Sequence, residues 1–397
     1  MLYYLLTKIP FKGKLTIIDS MGVERIFGTK TSNFPSVKIR LKNKLTEFKL
    51  LYNPSLYLGE EYMKNNLTIE KGTLEDFINI ITESYYDFHK VNFIRLLFDN
   101  FSTLIRSLQQ FNDLIGSKKN VAHHYDIDEK LYNLFLDKDM QYSCGYFHNN
   151  NISLENSQLD KKNHIIKKLN IEKGMSVLDI GSGWGGLAIQ IAKNTGAKVT
   201  GITLSKNQLE TAKKRAEEEG LSDQVNFKFQ DYRTETNKYD RIVSVGMFEH
   251  VGINYFSKFF SKCNDLLKDN GVMLLHTIGY KGKPAATNPW IRKYIFPGGY
   301  IPSLSEILHS TEKNNMLITD IEILRLHYAE TLKHWHRNIQ KNKEKIISIF
   351  DEKFYRMWKF YLVSSEYSFR NMGNVNFQIQ ISKKINNLPL TRNYIYN

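Results

Sequence analysis

Two stretches of the chain put reactive side chains at the end of an apolar run. In RIVSVGMFEHVG, the segment Ile242 to Phe248 delivers a carboxylate and an imidazole, Glu249 and His250. In VLDIGSGWGG, Asp179 is followed by Gly181, Gly183, Gly185 and Gly186 before the helical stretch LAIQIAKN. Glycines at that spacing let the backbone turn sharply and let a ligand lie against bare main chain, with the amides of a helix start facing it. The pattern also satisfies the G-x-G-x-x-G of dinucleotide sites, but such sites want an acidic residue about 20 positions on to hold a ribose. VTGITLSKNQ stands there instead, with Thr203 and Ser205 neutral, and Ser205 to Gln208 reads as an S-x-x-Q capping box that opens the next helix.

These residues need a scaffold. From Val177 to Leu275 strand and helix segments alternate, the rhythm of a parallel α/β sheet. The strands read SVLDIG, KVTGIT, VNFKFQ, RIVSVG and VMLLHT, mostly apolar runs that suit strands covered on both faces. Glu249 then stands at the carboxyl edge of one strand and His276 at the end of the next, where open α/β sheets bind ligands. IFPGGYIPS, with two prolines and two adjacent glycines, is a loop. Ahead of this region, residues 1–90 read as a small α+β unit. KLTIID and VERIFG flank a turn at Met21 and Gly22, and SVKIRLKN and EFKLLY follow as further short alternating segments. Pro54 opens a helix, PSLYLGEEYM, and Thr73 caps LEDFINIITESYYDF. Residues 91–120 form a helical segment and linker, with GSKKN (Gly116 to Asn120) as the linker itself, and 121–397 form the catalytic domain. The tail from Glu330 to about Ser365 reads as helical, basic and aromatic.

Composition narrows the classes. A chain of 397 residues is long enough for two domains. Its 55 Lys and Arg against 41 Asp and Glu give a net charge of +14, which draws it toward an anionic surface or reflects a lysine-rich composition throughout. Cys144 and Cys263 are the two cysteines, too few and too far apart for a disulfide framework or a cysteine metal cage, and a reducing cytoplasm fits. The adjacent His123 and His124 point apart and suit zinc badly, so no metal is expected. MLYYLLTKIP is too short for a signal-peptide core, and no run approaches the roughly 18 apolar residues of a spanning helix. Membrane contact is therefore expected to be peripheral, on the inner face. The basic helix KKNHIIKKL reads as a solvated face or, with Trp335, Trp358 and RNIQKNKEKIISIF, as part of a lipid-facing surface.

Asp179 ahead of the first glycine, with a polar end to the following strand, resembles the methyltransferases that use S-adenosylmethionine. Aromatic-rich YSCGYF upstream, then TLSKNQ, YDRIVSVGMFEHVG, GVMLLHTIG, IFPGGYIPS and HYAETL downstream, make the resemblance specific: residues from about 122 to 370 resemble the cyclopropane fatty-acid synthase family, kin of the mycolic-acid cyclopropane synthases. The resemblance implies a Rossmann-like catalytic domain with a mainly parallel sheet of seven strands, although five strands are readable directly. It implies that the methyl of S-adenosylmethionine is added to a cis double bond of an unsaturated phospholipid acyl chain and loses a proton to a bound bicarbonate as a cyclopropane ring closes. Carried over position by position, the bicarbonate ligands would be Cys144, Glu249, His276, Ile278 and Tyr328. The cofactor positions would be Tyr142, Ser143, Val177, Leu178, Asp179, Ile180, Gly181, Ser182, Gly183, Trp184, Gly185, Thr203, Leu204, Ser205, Lys206, Asn207, Gln208 and Tyr232, with Thr203 and Gln208 toward the ribose or carboxypropyl end. Ser182 stands where many members have Cys, a swap of two small side chains.

The chemistry asks for a dry, aromatic pocket, because attack by an alkene leaves a carbocation-like centre that water quenches, and aromatic faces stabilise positive charge. Tyr142, Tyr146, Phe147 and Tyr328 are the candidates. The N-terminal unit is expected to dock lipid or mediate dimer contacts, with a phospholipid membrane surface as partner and no nucleic acid. Competing readings are an enzyme with the same site that yields a methylene or methyl-branched chain, a nicotinamide oxidoreductase, and a lipid carrier without catalysis.

Overall fold

The computed structural model describes residues 1–31, 33–85, 129–149 and 151–396. The expected helical segment after residue 90, the linker Gly116 to Asn120 and the pair His123 and His124 lie outside them. The described chain divides into two compact units: one takes residues up to 85 with 285–297 and 332–374, the other takes 129–284, 298–331 and 375–396. Part of the tail that the sequence assigns to a continuous 121–397 domain thus falls in the first unit.

The first unit holds a sheet of order β2-β1-β3-β4, with β1 Lys14–Ile18, β2 Glu24–Phe27, β3 Ser36–Leu41 and β4 Leu67–Lys71. The Met21–Gly22 turn is in place, with Gly22 at φ +85° in the left-handed region. EFKLLY, expected as an extended segment, is helical: it belongs to Lys44–Tyr52, started by the Asn43 side chain accepting from the Thr46 amide. An N-cap of this strength outweighs a short alternating pattern. Pro54–Met63 and Leu74–Glu83 form the two expected helices, the second closed by a reciprocal capping box between Thr73 and Asp76. Val37, Ile39 and Leu41 alternate inward along β3 and share the core with Phe77, Ile78 and Ile80. The helices Lys343–Ile349 and Glu352–Tyr367 belong here too, and Trp335 and Trp358 are fully buried. Neither tryptophan is available to a lipid-facing surface, since both fill the core.

The second unit holds a sheet of order β10-β11-β9-β8-β5-β6-β7. Its strands are β5 Ser176–Ile180, β6 Lys198–Thr203, β7 Val225–Phe229, β8 Tyr239–Val245, β9 Leu267–Tyr280, β10 Leu317–Leu324 and β11 Asn374–Ser382. β7, β6, β5, β8 and β9 run parallel, and β10 pairs antiparallel with β11. Two apolar clusters cover the sheet. One is built on Phe248, Phe256, Phe259 and Phe260, the other on Ile165, Leu187, Ile191 and Val199. Each fully buried aromatic or aliphatic side chain of this size contributes about 1.5–3 kcal/mol. With both faces sealed, the open carboxyl edge of the parallel strands is the place left for chemistry.

Candidate active site

At the ends of β5 and β6 the main chain makes the site. Gly181, Gly183 and Gly185 all have positive φ (+85°, +54° and +85°), which only glycine adopts without strain. A Cβ on Gly181 would meet Met247 Cβ at 2.7 Å and one on Gly185 would meet Phe227 at 2.7 Å, whereas nothing lies within 4 Å of the Gly183 position. The space in front of Gly183 is open to a ligand. The amides of Gly181 and Ser182 both donate to the Ile202 carbonyl at 3.0 Å, which ties the loop to β6. Asp179 is buried and its Oδ2 has no partner among the described residues; burial pushes its carboxyl up to about 7, with Lys161 opposing. Ser205 caps the helix Lys206–Glu218 as expected, but the capping box does not close. The Gln208 side chain instead accepts from Thr203 Oγ1 at 2.9 Å, and the Ser205 amide donates to that same hydroxyl at 3.2 Å. Tyr232 packs edge-on against Phe259 at 5.3 Å in a short turn after β7.

At the ends of β8 and β9 side chains make the site. Glu249 sits in the 3₁₀ turn Phe248–His250 that follows β8, and its Oε1 accepts the Ile278 amide at 2.6 Å. Glu249 as a whole is half-buried, but its Oε2 is shut off from solvent and has no partner among the described residues. Burial of that oxygen pushes the carboxyl up to about 7 against the pull of the Ile278 amide, so near neutral pH a proton is available there. The Tyr300 amide, from the PGGY loop, donates to the Glu249 carbonyl at 2.9 Å and fixes the turn. His276 is fully buried and held neutral by that burial. Its ring nitrogens face side-chain amides of β11, Nε2 to Asn376 at 2.8 Å and Nδ1 to Gln378 at 3.1 Å. A neutral imidazole accepts at one nitrogen and donates at the other, and Gln378 Oε1 is without a partner in the assigned orientation. Turning that amide over satisfies both groups.

Cys144 lies on the loop between Asp137 and Phe147, fully buried, its thiol raised by burial and donating to the Gly145 carbonyl. The Gly145 amide donates to Thr331 Oγ1 at 3.0 Å and the Phe147 amide to His327 Nδ1 at 2.9 Å, both on the helix His327–Lys341. Tyr328 lies on that helix three residues before Thr331, so these bonds bring Cys144 and Tyr328 into one neighbourhood. Tyr146 stacks on His164 at 4.3 Å, and Tyr142 packs against Tyr132 at 5.3 Å.

The sequence reading missed what holds this loop. KKNHIIKKL belongs to the helix Leu154–Leu169, and Lys161, Lys162 and Lys168 are buried, not solvated or lipid-facing. Lys161 donates to Gln141 Oε1 at 2.6 Å and Ser143 Oγ at 2.8 Å; Lys162 pairs with Asp139 at 2.6 Å; Lys168 pairs with Glu322 at 2.5 Å. Asp139 also pairs with Arg215, which donates to the Trp184 carbonyl at 2.9 Å and so joins the loop to the glycine turn. The available signal was spacing: Lys161 and Lys168 share a helix stripe with Ile165. β11 was readable too, since Asn376, Gln378 and Gln380 alternate with Phe377, Ile379 and Ile381. Among the described residues no group of His, Cys, Asp and Glu could hold a metal ion, and no helix is long and apolar enough to cross a membrane.

Comparison with known proteins adds to this geometry. Residues 113–379 match the family model for mycolic acid cyclopropane synthetase, and residues 5–92 match a domain of unknown function. A Pseudomonas putida protein named "Probable fatty acid methyltransferase" is 38% identical over 288 residues, 70% of this chain and 73% of its own length. The cyclopropane-fatty-acyl-phospholipid synthase of Escherichia coli is 36% identical over 357 residues, 88% of each chain. A crystal structure of a mycolic acid cyclopropane synthase complexed with SAH and CTAB superposes with a TM-score of 0.63 at 31% identity, covering 66% of this chain and 97% of that one.

Proposed function

The chain belongs to the mycolic acid cyclopropane synthetase family, and from that premise we propose that it transfers a methylene unit from S-adenosylmethionine to the cis double bond of an unsaturated phospholipid acyl chain, closing a cyclopropane ring with bicarbonate as base. The single observation that carries the reading is the pairing of an open glycine turn at β5 with the desolvated, partnerless Oε2 of Glu249 after β8 on one sheet edge. The Escherichia coli relative, matched over 88% of this chain, is named for the same reaction.

The residues present fit both groups. S-adenosylmethionine, when bound, supplies an electrophilic methyl. The glycine turn leaves bare main chain for it, Thr203 and Gln208 form a fixed polar wall at the end of β6, and Asp179 offers an unpartnered oxygen suited to an ammonium. Bicarbonate, when bound, supplies a base beside the transferred methyl. Glu249 would hold it through Oε2: a carboxyl with a raised pKa donates a hydrogen bond to an anion instead of repelling it. The Cys144 thiol already donates to the Gly145 carbonyl, so Cys144 and Tyr328 would contribute as buried walls of the anion site. The Ile278 amide is already taken by Glu249, and both ring nitrogens of His276 are taken by Asn376 and Gln378, so these two expected ligands would act by fixing the end of β9 and not by bonding the anion. Excluding water matters because the charge that builds on the acyl chain is a carbocation; Cys144, Phe248, Tyr300 and Tyr328 are all buried.

In the N-terminal unit, Met1, Tyr4, Met21, Ile26, Phe48 and Tyr52 are exposed apolar side chains within 52 residues. Of these, Met1, Met21 and Phe48 line one open concavity; apolar side chains gathered in this way mark an interaction surface, and with a net charge of +14 they support docking of this unit on an anionic phospholipid surface, the protein staying peripheral to the cytoplasmic face.

Lipid extracts from a host expressing the gene test the reaction: unsaturated chains should gain the mass of one CH₂ and show the high-field proton signals of a three-membered ring. Unchanged lipids overturn it. Vinyl signals at the same mass, or a gain of a further H₂, would assign the second reading, a methylene or methyl-branched product, which the Pseudomonas relative's name favours.

A further inference from the structure

We propose that Lys161 is a positioning residue that fixes Ser143 as a hydrogen-bond donor toward the carboxylate end of S-adenosylmethionine, an inference that rests on the cofactor reading above. Lys161 is fully buried on the Leu154–Leu169 helix, with Nζ 2.6 Å from Gln141 Oε1 and 2.8 Å from Ser143 Oγ. An ammonium has three N–H bonds and no lone pair. Both oxygens must therefore accept from it. Gln141, committed as an acceptor on one side, donates its amide to Asp139 Oδ2 at 3.0 Å on the other. Ser143, once its oxygen accepts from Lys161, has its O–H left to give, and its recipient must be an acceptor.

Ser143 stands where such an acceptor would come. A Cβ built on Gly246, at the carboxyl end of β8, would lie 3.8 Å from Ser143 Cβ, and the next residue, Met247, is the one that faces Gly181 of the glycine turn. The main chain of Ser143 is anchored separately, its carbonyl accepting from Gln158 Nε2 at 2.9 Å, so the hydroxyl does not wander. Asp179, at the end of β5, brings the opposite sign through a buried oxygen without a partner. A donor on one side and a bare carboxylate oxygen on the other match the two ends of an α-amino acid, carboxylate to Ser143 and ammonium to Asp179.

The charge on Lys161 can be switched. Burial pulls its ammonium down to about 8, with Asp137 opposing most, Lys162 adding to the fall, and Asp139 and Cys144 resisting it; the ammonium acts in turn on Asp179 and His276. A neutral amine has a lone pair, so above that pH Ser143 can turn its O–H inward and cease to donate to the ligand.

Calorimetry on the full chain tests this with two ligands, S-adenosylhomocysteine and decarboxylated S-adenosylmethionine, which keeps the ammonium and lacks the carboxylate. Lys161→Met should weaken the first roughly tenfold to hundredfold, as for loss of a charge-assisted hydrogen bond, and leave the second within about twofold. Ser143→Ala, which leaves the buried ammonium in place and guards against misfolding of the lysine variant, should remove the same preference. In the wild type the preference should fall as pH rises through about 8, and in both variants it should be flat. Equal weakening of both ligands would reduce Lys161 to a structural residue, and an unchanged preference would remove Ser143 from the carboxylate; either overturns the inference alone. A wild type that binds neither ligand overturns the cofactor reading with it.

Discussion

The two halves of the proposed catalytic sheet edge are built by different means. At β5 and β6 the working surface is backbone: three glycines at positive φ, two amides on the Ile202 carbonyl, and side chains that mainly brace one another. At β8 and β9 it is side chains from distant segments: Glu249 on Ile278, His276 between Asn376 and Gln378, and Cys144 tied through Gly145 to Thr331. A backbone site is intolerant of any added atom but indifferent to charge. A side-chain site tolerates isosteres yet depends on where each proton lies. The two halves should therefore fail differently.

The sharpest break is Gly183→Val. It puts a branched side chain at φ +54° and into the open space the ligand needs. Calorimetry should show no S-adenosylhomocysteine binding; no protein atom lies within 4 Å of the new Cβ, but the positive φ strains the turn, so a cooperative melt of the variant is the control that separates lost binding from lost fold. Retained binding would mean the turn is not the ligand's seat. Glu249→Gln on the other half should do the converse. The amide carbonyl still accepts from Ile278 and the shape is kept, but the titrating proton is gone. Turnover on unsaturated phospholipid vesicles should fall by about 10²-fold or more, with S-adenosylhomocysteine affinity unchanged. If both quantities fall together, the division between the halves is wrong.

The same contrast explains what the sequence discloses. VLDIGSGWGG is legible because each glycine acts where it stands, and β5 to β9 are legible because strands buried on both faces are continuous apolar runs. Pro54 and Thr73 likewise announce helix starts by local chemistry. The anion side is not local. Asn376 and Gln378 meet His276 only after a strand more than 90 residues downstream inserts beside β9, and a stretch of alternating amides and aliphatics gives no hint of its partner. KKNHIIKKL misleads for a related reason: lysines are ordinarily solvated, and their burial here depends on Asp139, Gln141, Ser143 and Glu322, which are assembled by the fold. EFKLLY fails in the other direction, since the capping residue Asn43 lies outside the pattern that suggested extension.

A thermodynamic cut through the comparison uses pH. Glu249 has its native pKa raised from 4.5 to about 7 by burial. Such an acid holds its proton more tightly folded than unfolded, so its contribution to stability is full below 4.5 and is lost as pH climbs through 7. The shift corresponds to roughly 3 kcal/mol at most. Gln cannot titrate. Thermal unfolding of the ligand-free protein between pH 5 and 8.5 should therefore show Glu249→Gln gaining on the wild type as pH rises. Asp179 is raised in the same direction but is common to both proteins, so it cancels from the difference. A difference in melting temperature that does not change with pH would mean the Glu249 carboxyl is not desolvated.

The smallest expected effect is the most specific. His276 touches two amides of β11, and its neutral ring needs one to accept and one to donate. Gln378→Leu keeps the burial of a residue that is fully enclosed, but leaves one ring nitrogen without its partner. An imidazole so released can rotate or exchange tautomers, which loosens the end of β9 that carries Ile278, the partner of Glu249. Loss of one neutral hydrogen bond is worth about 1 kcal/mol, so turnover should fall roughly fivefold to tenfold, with no change in S-adenosylhomocysteine affinity because β11 lies on the far side of β9 and β8 from the glycine turn. Nitrogen chemical shifts of His276 report the tautomer directly: one form in the wild type, a mixture in Gln378→Leu. A single tautomer in both, with slowed turnover, would place the effect in packing and detach the imidazole from the anion side.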